Sequence, residues 1–196
     1  MAATAKSFRQ TVGVPPSTAS TSDSVLVIID AQNEYATGLL RTENISHTRA
    51  ALTSLLQKYR AASAPVVHVV HRSRDGAPVF TPGTELAEEF EELKPEGREG
   101  EWRVEKLAPG AFTGTELQGI LEGTGRKKVV LTGYMAHVCV STTARQAAER
   151  GWDVIVASDA VGDRHIPGVE ADELVRVALS EIADAFGTVL ESKDIV

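Results

Sequence analysis

The sequence predicts an α/β protein with a Rossmann-like three-layer α/β/α arrangement around a mostly parallel central sheet. Continuous apolar runs such as Ser24–Ile29 alternate with amphipathic segments, and such runs are typical of strands buried on both faces of a parallel sheet. The chain has 196 residues, of which 42% are hydrophobic, and this suits a single domain with one sizeable core.

Strands and helices alternate along the chain, which favours a parallel sheet with right-handed crossovers. The spacing of Ile45, Leu52 and Leu55 predicts an apolar helix stripe, and Pro65 stands where a strand can begin. Residues 71–100 form a long connection with an acidic helical stretch at 85–93, where a specificity lid would be expected. The predicted strands are 24–29, 65–70, 102–105, 128–132, 152–157 and 187–190, and the other predicted helices are 114–121, 138–150 and 168–186.

Composition excludes several classes of partner. The formal net charge is −7, with 27 acidic and 20 basic residues, so nucleic acid and anionic membrane surfaces are poor candidates. No Gly-x-Gly-x-x-Gly fingerprint or P-loop is present, which disfavours dinucleotides and nucleoside triphosphates. A single cysteine cannot form an internal disulfide and therefore indicates a reducing compartment.

The first 23 residues differ from the rest, being rich in Ala, Ser and Thr with a Pro15-Pro16 pair. They lack the apolar segment of a secretory signal. We therefore predict a flexible N-terminal arm at 1–23, followed by one domain at 24–196, and a cytoplasmic location. A short organelle-targeting peptide is the alternative for the arm.

Three polar residues each follow a predicted strand. Asp30 ends the first apolar run, Lys106 follows the run 102–105, and the only cysteine, Cys139, lies in the turn after strand 128–132. Because the carboxyl ends of parallel strands meet at one edge, a carboxylate, an ammonium and a thiol are expected to converge there. Individually, each has a structural explanation: a turn cap, a solvated lysine or a buried cysteine.

The segments around these residues resemble the isochorismatase-like cysteine hydrolases, a superfamily that includes nicotinamidases and other small-amide hydrolases. The resemblance lies in three blocks, 27–35, 106–117 and 133–147, and covers about 24–189. It implies a catalytic triad of Asp30, Lys106 and Cys139. The function it predicts is hydrolysis of the C–N bond of a small-molecule amide through a thioester, in a homo-oligomer, either dimer or tetramer.

In this reading Cys139 is the nucleophile and Asp30 accepts its proton and later returns it. Lys106 and the helix start at Cys139 are expected to favour the thiolate. By resemblance, the oxyanion donors are the backbone N–H groups of Met135 and Cys139, and a cis peptide joins Tyr134 to Met135.

The metal site of nicotinamidases, an Asp with two His, is not visible. No His follows Asp30 until His47, and His68 lies within a predicted strand, so we expect no metal and no cofactor. The residues expected to bind substrate, by their position, are Tyr35, His71, Trp102, Phe112 and Tyr134.

Three alternatives remain open from the sequence. One is the isochorismatase reaction, hydrolysis of a vinyl ether by acid catalysis from Asp30, which requires no thiol. The second is nicotinamide hydrolysis. The third, from another class, is a non-catalytic binding or redox-sensing protein in which Cys139 is an oxidisable switch.

Overall fold

The structure is a computed structural model that describes residues 5–196. Its six parallel strands lie in the order β3-β2-β1-β4-β5-β6. The strands are β1 (Ser24–Ile29), β2 (Val66–His71), β3 (Glu101–Lys106), β4 (Lys128–Tyr134), β5 (Asp153–Gly162) and β6 (Thr188–Leu190). The helices are α1 (Phe8–Thr11), α2 (Glu34–Thr37), α3 (Ile45–Ala61), α4 (Leu117–Gly123), α5 (Ser141–Glu149) and α6 (Ala171–Ala185).

The two faces of the sheet are covered by different helices, which confirms the three-layer prediction. Leu52, Leu55 and Leu56 of α3 pack with Leu26 and Ile28 on one face. On the other face, alternate residues of the same strands pack against apolar side chains of α4, α5 and α6. The strands are therefore buried on both faces, as their continuous apolar runs indicated.

The connection between β2 and β3, residues 72–100, differs from its predicted helix at 85–93. It contains two short 3-10 turns, Glu85–Ala87 and Glu91–Leu93, separated by an extended segment. Glu89 forms an antiparallel bridge with Gln32, and the ring of Phe90 is fully buried. This pairing with the loop after β1 holds the segment extended, so the acidic run cannot close into one helix.

Two other elements differ from their predicted bounds. The helix predicted at 138–150 is divided into one turn of π-helix, Ala136–Val140, and α5. Strand β5 extends to Gly162, five residues past its predicted end, after a register shift opposite Leu131 and Gly133.

The N-terminal arm contacts the domain at several points, and residues 1–4 lie outside the described part. The Phe8 N–H donates to Asp184 of α6 (2.9 Å), and the Thr21 N–H donates to the carbonyl of Val196 (2.7 Å). Ala19 is buried. The arm therefore contributes packing at its C-terminal part, while its flexibility stays a prediction. None of the described helices is both long and apolar enough to cross a bilayer.

Candidate active site

The carboxyl edge of the sheet brings together the three polar residues singled out in the sequence. Asp30 follows β1, Lys106 ends β3, and Cys139 lies in the π-turn after β4. All three are buried, and Cys139 is the most exposed of them at 5%. His71, at the end of β2, lies at the same edge because β2 stands between β1 and β3.

Lys106 lies at the centre of this group. Its Nζ is 2.8 Å from Asp30 Oδ2, 3.2 Å from His71 Nδ1 and 3.4 Å from Cys139 Sγ. Neither carboxylate oxygen of Asp30 has a well-aligned hydrogen bond within the described residues, so its contact with Lys106 is chiefly ionic. The ammonium thus connects the acid to the thiol.

The backbone at Asp30 turns sharply as the strand ends. Asp30 has a φ of 52°, in the left-handed region that non-glycine residues seldom occupy. Its N–H donates to the carbonyl of Val69 and its carbonyl accepts the N–H of Gln32, both at 2.8 Å. These two bonds hold an unfavourable conformation at the point where the carboxylate meets Lys106.

Burial sets the protonation behaviour of the site. It raises the pKa of Asp30, and this effect exceeds the opposing attraction of Lys106. Burial, followed by the neighbouring Asp30 charge, raises the pKa of the Cys139 thiol to about 12. These two effects oppose the expected stabilisation of the thiolate, and Lys106 only partly offsets them.

The turn that carries Cys139 depends on Gly133. A Cβ at this position would lie 1.9 Å from the carbonyl oxygen of Ile29, and the φ of Gly133 is +106°. Only glycine allows β4 to pass β1 this closely. The peptide between Tyr134 and Met135 is cis, as expected from the resemblance, and no described backbone carbonyl accepts the Met135 N–H.

Comparison with known proteins agrees with this arrangement. The family model described as the isochorismatase domain matches residues 24–194. The chain belongs to the isochorismatase family. It is 68% identical over 189 residues to the secreted isochorismatase effector Isc1 of Verticillium dahliae, covering 96% of this chain and 98% of that protein.

Two crystal structures extend the comparison. An isochorismatase from Pseudomonas putida KT2440 superposes with a TM-score of 0.92 at 29% identity, covering 98% of this chain and 100% of that one. N-carbamoylsarcosine amidase from Thermoplasma acidophilum superposes with a TM-score of 0.74 at 29% identity, covering 88% and 98%. The chain is therefore an isochorismatase-family hydrolase with amidases among its relatives.

The Verticillium relative overturns the expected cytoplasmic location, since it is named as secreted. The inference from cysteine content failed for a physical reason. A single buried thiol cannot pair within the chain, so the fold is independent of the redox state of its surroundings and gives no information about the compartment.

The residues expected to bind substrate divide into two groups. Tyr35 is buried, and burial is the main cause of the raised pKa of its phenol. Its ring packs edge-on against Phe80, with centroids 5.2 Å apart. His71 contacts Lys106 directly. Its other neighbour is the ring of Phe80 in the β2–β3 connection, with centroids 5.0 Å apart.

The other three aromatic residues are directed elsewhere. Trp102 precedes Lys106 by four residues and thus lies about 13 Å back along β3. The Tyr134 hydroxyl bonds the Thr48 hydroxyl of α3 at 2.7 Å, and Phe112 lies under the Arg150 guanidinium. The structure does not bring these three side chains to Lys106.

The sequence analysis did not identify Gln32 and Glu34 as residues that support the site. The structure shows that both are fully buried. The Gln32 side chain accepts the His71 N–H (2.8 Å) and donates to the carbonyls of His71 (3.0 Å) and Ala87 (2.7 Å). Glu34 accepts the N–H groups of Leu40 and Phe80. Both therefore hold the β2–β3 connection over the site. The signal that could have identified them is the run of polar residues directly after the apolar strand 24–29.

Asp163, at the end of β5, was also missed. Its Oδ2 accepts the N–H of His137 at 3.0 Å and contacts His137 Nδ1 at 2.7 Å. This buried carboxylate thereby fixes the first turn of the segment that carries Cys139.

The histidines of β2 do not form a metal site. His68 is buried between Glu101 and Glu89, at 2.7 and 3.4 Å, as a core histidine with acidic partners. Among residues 5–196, no three His, Cys, Asp or Glu side chains are grouped so that they could hold a metal ion.

Proposed function

We propose that this isochorismatase-family protein hydrolyses the C–N bond of a small amide through a thioester on Cys139. The observation that carries the proposal is the contact of one ammonium, Lys106 Nζ, with both the Asp30 carboxylate and the Cys139 sulfur. An acid, a cation and a thiol in contact are what nucleophilic acyl transfer requires. The structural similarity to an amidase supports an amide as substrate.

In the first half-reaction, Cys139 Sγ attacks the carbonyl carbon while its proton passes to Asp30. The tetrahedral oxyanion accepts hydrogen bonds from the N–H groups of Met135 and Cys139. The C–N bond then breaks, and Asp30 returns the proton to the departing nitrogen. An amine and a thioester result.

In the second half-reaction, Asp30 takes a proton from water, and the resulting hydroxide attacks the thioester carbonyl. The C–S bond breaks, the proton returns to sulfur, and a carboxylic acid leaves. The raised pKa of Asp30 makes it a stronger base for both steps. Because the pKa of the thiol is about 12, deprotonation occurs together with attack, and a resting thiolate does not form.

Tyr35 is the residue we propose for contact with the substrate, because its ring packs on Phe80, which also contacts His71 at the carboxyl edge of the sheet. Its ring packs against Phe80 at 5.2 Å and Tyr134 at 5.5 Å, so the phenol has a fixed position. These rings surround Tyr35 with apolar groups, which suits a partly apolar small molecule.

A second candidate function is hydrolysis of a vinyl ether such as isochorismate. The 68% identity to a protein named an isochorismatase effector favours it. In this reaction Asp30 would protonate the vinyl carbon, water would add to the resulting cation, and the hemiketal would collapse with cleavage of the C–O bond to a ketone and an alcohol. No covalent step on sulfur is involved. The raised pKa of Asp30 suits an acid as well as a base.

The variant Cys139→Ala separates the two functions. Wild-type protein and the variants Cys139→Ala and Asp30→Asn are assayed on a panel of small amides and on isochorismate, and intact mass is recorded during turnover. The amide proposal predicts an acyl mass increase on the wild type and a loss of about 10⁴-fold or more for either variant, with non-additive losses in the double variant.

Amide turnover by Cys139→Ala near the wild-type rate would overturn the thioester mechanism. Isochorismate turnover that survives Cys139→Ala and is lost in Asp30→Asn, without amide turnover by the wild type, would establish the second candidate instead. A redox-sensing role predicts that the protein turns over neither amides nor isochorismate. The burial and raised pKa of Cys139 disfavour this role, because sensor cysteines are exposed and have a low pKa.

We also propose that the chain is secreted and forms a homo-oligomer. Its 68% identity to a secreted effector supports export. The family resemblance supports self-association. Detection of the chain in culture filtrate without a cytosolic marker, and a dimer or tetramer mass by light scattering, are the expected results.

A further inference from the structure

The Lys106 ammonium has three N–H donors, and the structure provides three partners for them. Two belong to the proposed machinery, the Asp30 carboxylate at 2.8 Å and the Cys139 sulfur at 3.4 Å. The third is Nδ1 of His71 at 3.2 Å. With three partners, an ammonium on a flexible four-carbon stem is fixed in orientation as well as in position.

The chemistry of this contact defines the form of His71. An ammonium can only donate, so Nδ1 must present its lone pair and the ring proton must lie on Nε2. A protonated imidazole would point a second N–H at Lys106. Burial, and then the Lys106 charge, lower the pKa of His71 to about 4, so the ring is neutral near pH 7.

His71 is itself held from two directions. Gln32 bonds both backbone groups of His71, at 2.8 Å to its N–H and 3.0 Å to its carbonyl. On the other side, the imidazole packs against the ring of Phe80. The next residue, Arg72, donates its N–H to the carbonyl of Lys106 at 2.9 Å, which ties the ends of β2 and β3 together.

We propose that His71 is a positioning residue, which accepts the third N–H of Lys106 and thereby directs the other two at Asp30 and Cys139. The proposal rests on the proposed role of Lys106 in the site. Of the three contacts of the ammonium, the one to sulfur is the longest, and sulfur is a weak acceptor. Without His71, the ammonium turns away and the sulfur contact is lost first.

The test compares His71→Asn with His71→Leu. Asn can place its side-chain oxygen near the position of Nδ1 and so retains an acceptor, whereas Leu has similar bulk and none. For amide turnover, His71→Leu should lower kcat by about 10- to 100-fold, the effect of losing one hydrogen bond to a charged group, with KM within about twofold. His71→Asn should recover most of kcat. Circular dichroism and thermal melting check that both variants fold.

A second measurement does not depend on catalysis. Alkylation of Cys139 by iodoacetamide at pH 9 should be several-fold slower in His71→Leu, because the thiolate loses the nearby ammonium, and should stay near the wild-type rate in His71→Asn. This result distinguishes failure of the positioning role from failure of the amide function, since it needs no substrate.

Three outcomes would overturn the proposal. A raised KM with unchanged kcat in both variants would mean that His71 contacts substrate. Equal losses of kcat in His71→Asn and His71→Leu would mean that His71 acts only by packing. An unchanged alkylation rate in His71→Leu would mean that Lys106 keeps its orientation without this acceptor.

Discussion

The burial of Cys139 predicts that iodoacetamide alkylates its thiol slowly. A free thiol with a pKa of about 8.5 is roughly 3% thiolate at pH 7, whereas a thiol with a pKa of about 12 has about one thiolate in 10⁵. The two thiolate fractions differ by a factor of about 3,000. A more basic thiolate is also more nucleophilic, and this raises the rate of the Cys139 thiolate by about 30- to 60-fold. Iodoacetamide should therefore label Cys139 on the order of 100-fold more slowly than a free thiol.

The assay is intact mass against time, with a short blocked peptide that contains one cysteine as the reference thiol. Restricted access would also slow labelling, and pH separates the two causes. If the high pKa limits the rate, the logarithm of the rate rises linearly with pH through pH 10, where the reference thiol has already levelled off. If access limits it, both curves level off at the same pH.

Asp30→Asn supplies the matched perturbation. Removing the carboxylate charge lowers the pKa of Cys139, and each unit of decrease should speed labelling by about threefold at pH 7. Lys106→Ala should act in the opposite direction. Labelling faster than the reference peptide at pH 7, or an Asp30→Asn variant slower than the wild type, would refute the reasoning.

Three other predictions concern the support of the site. Gly133→Ala should lower the free energy of unfolding by about 3 kcal/mol or more, because the added Cβ meets the Ile29 carbonyl. Gly151→Ala is the control: its φ is +82° but the space around it is open, so it should lower the free energy of unfolding by about 1–2 kcal/mol. Equal losses in urea unfolding would contradict this reasoning. Gln32→Leu removes three hydrogen bonds, so it should lower the free energy of unfolding by about 2–4 kcal/mol and also lower kcat. A variant with wild-type stability and wild-type kcat would contradict the role assigned to Gln32. The kcat/KM should fall with decreasing pH through a pKa above 3.8, as Asp30 gains its proton; a fall only below 3.8 would contradict the raised pKa.

Much of the site could be predicted because parallel strands end at one edge. Asp30, Lys106 and Cys139 each follow a predicted strand, and that placement suffices to bring them together. By the same reasoning Trp102 lies farther from the edge, since four residues of extended chain separate it from Lys106. Tyr134 ends the strand that leads to Cys139, but its hydroxyl is bonded to Thr48 of α3.

The remainder depended on information that local patterns do not carry. The strand order places β2 between β1 and β3, and this decides that His71 contacts Lys106. The pKa of Cys139 depends on its burial and on the Asp30 charge, which only the folded chain sets. Gln32 and Glu34 hold the end of β2 and the β2–β3 connection, and their partners there are about 40 or more residues away.

The position of β3 has a consequence for how the site fails. β3 forms one border of the sheet and has β2 as its single neighbour, whereas the strands that carry Asp30 and lead to Cys139 are interior. Border strands detach at lower free energy than interior ones, so backbone amides near Lys106 should exchange with solvent before those of β1. Detachment would withdraw the cation and leave the Asp30 carboxylate and the Cys139 thiol in place. The proposed reaction centre should therefore lose its charge balance while the interior strands are still paired, and inactivation on heating should precede unfolding.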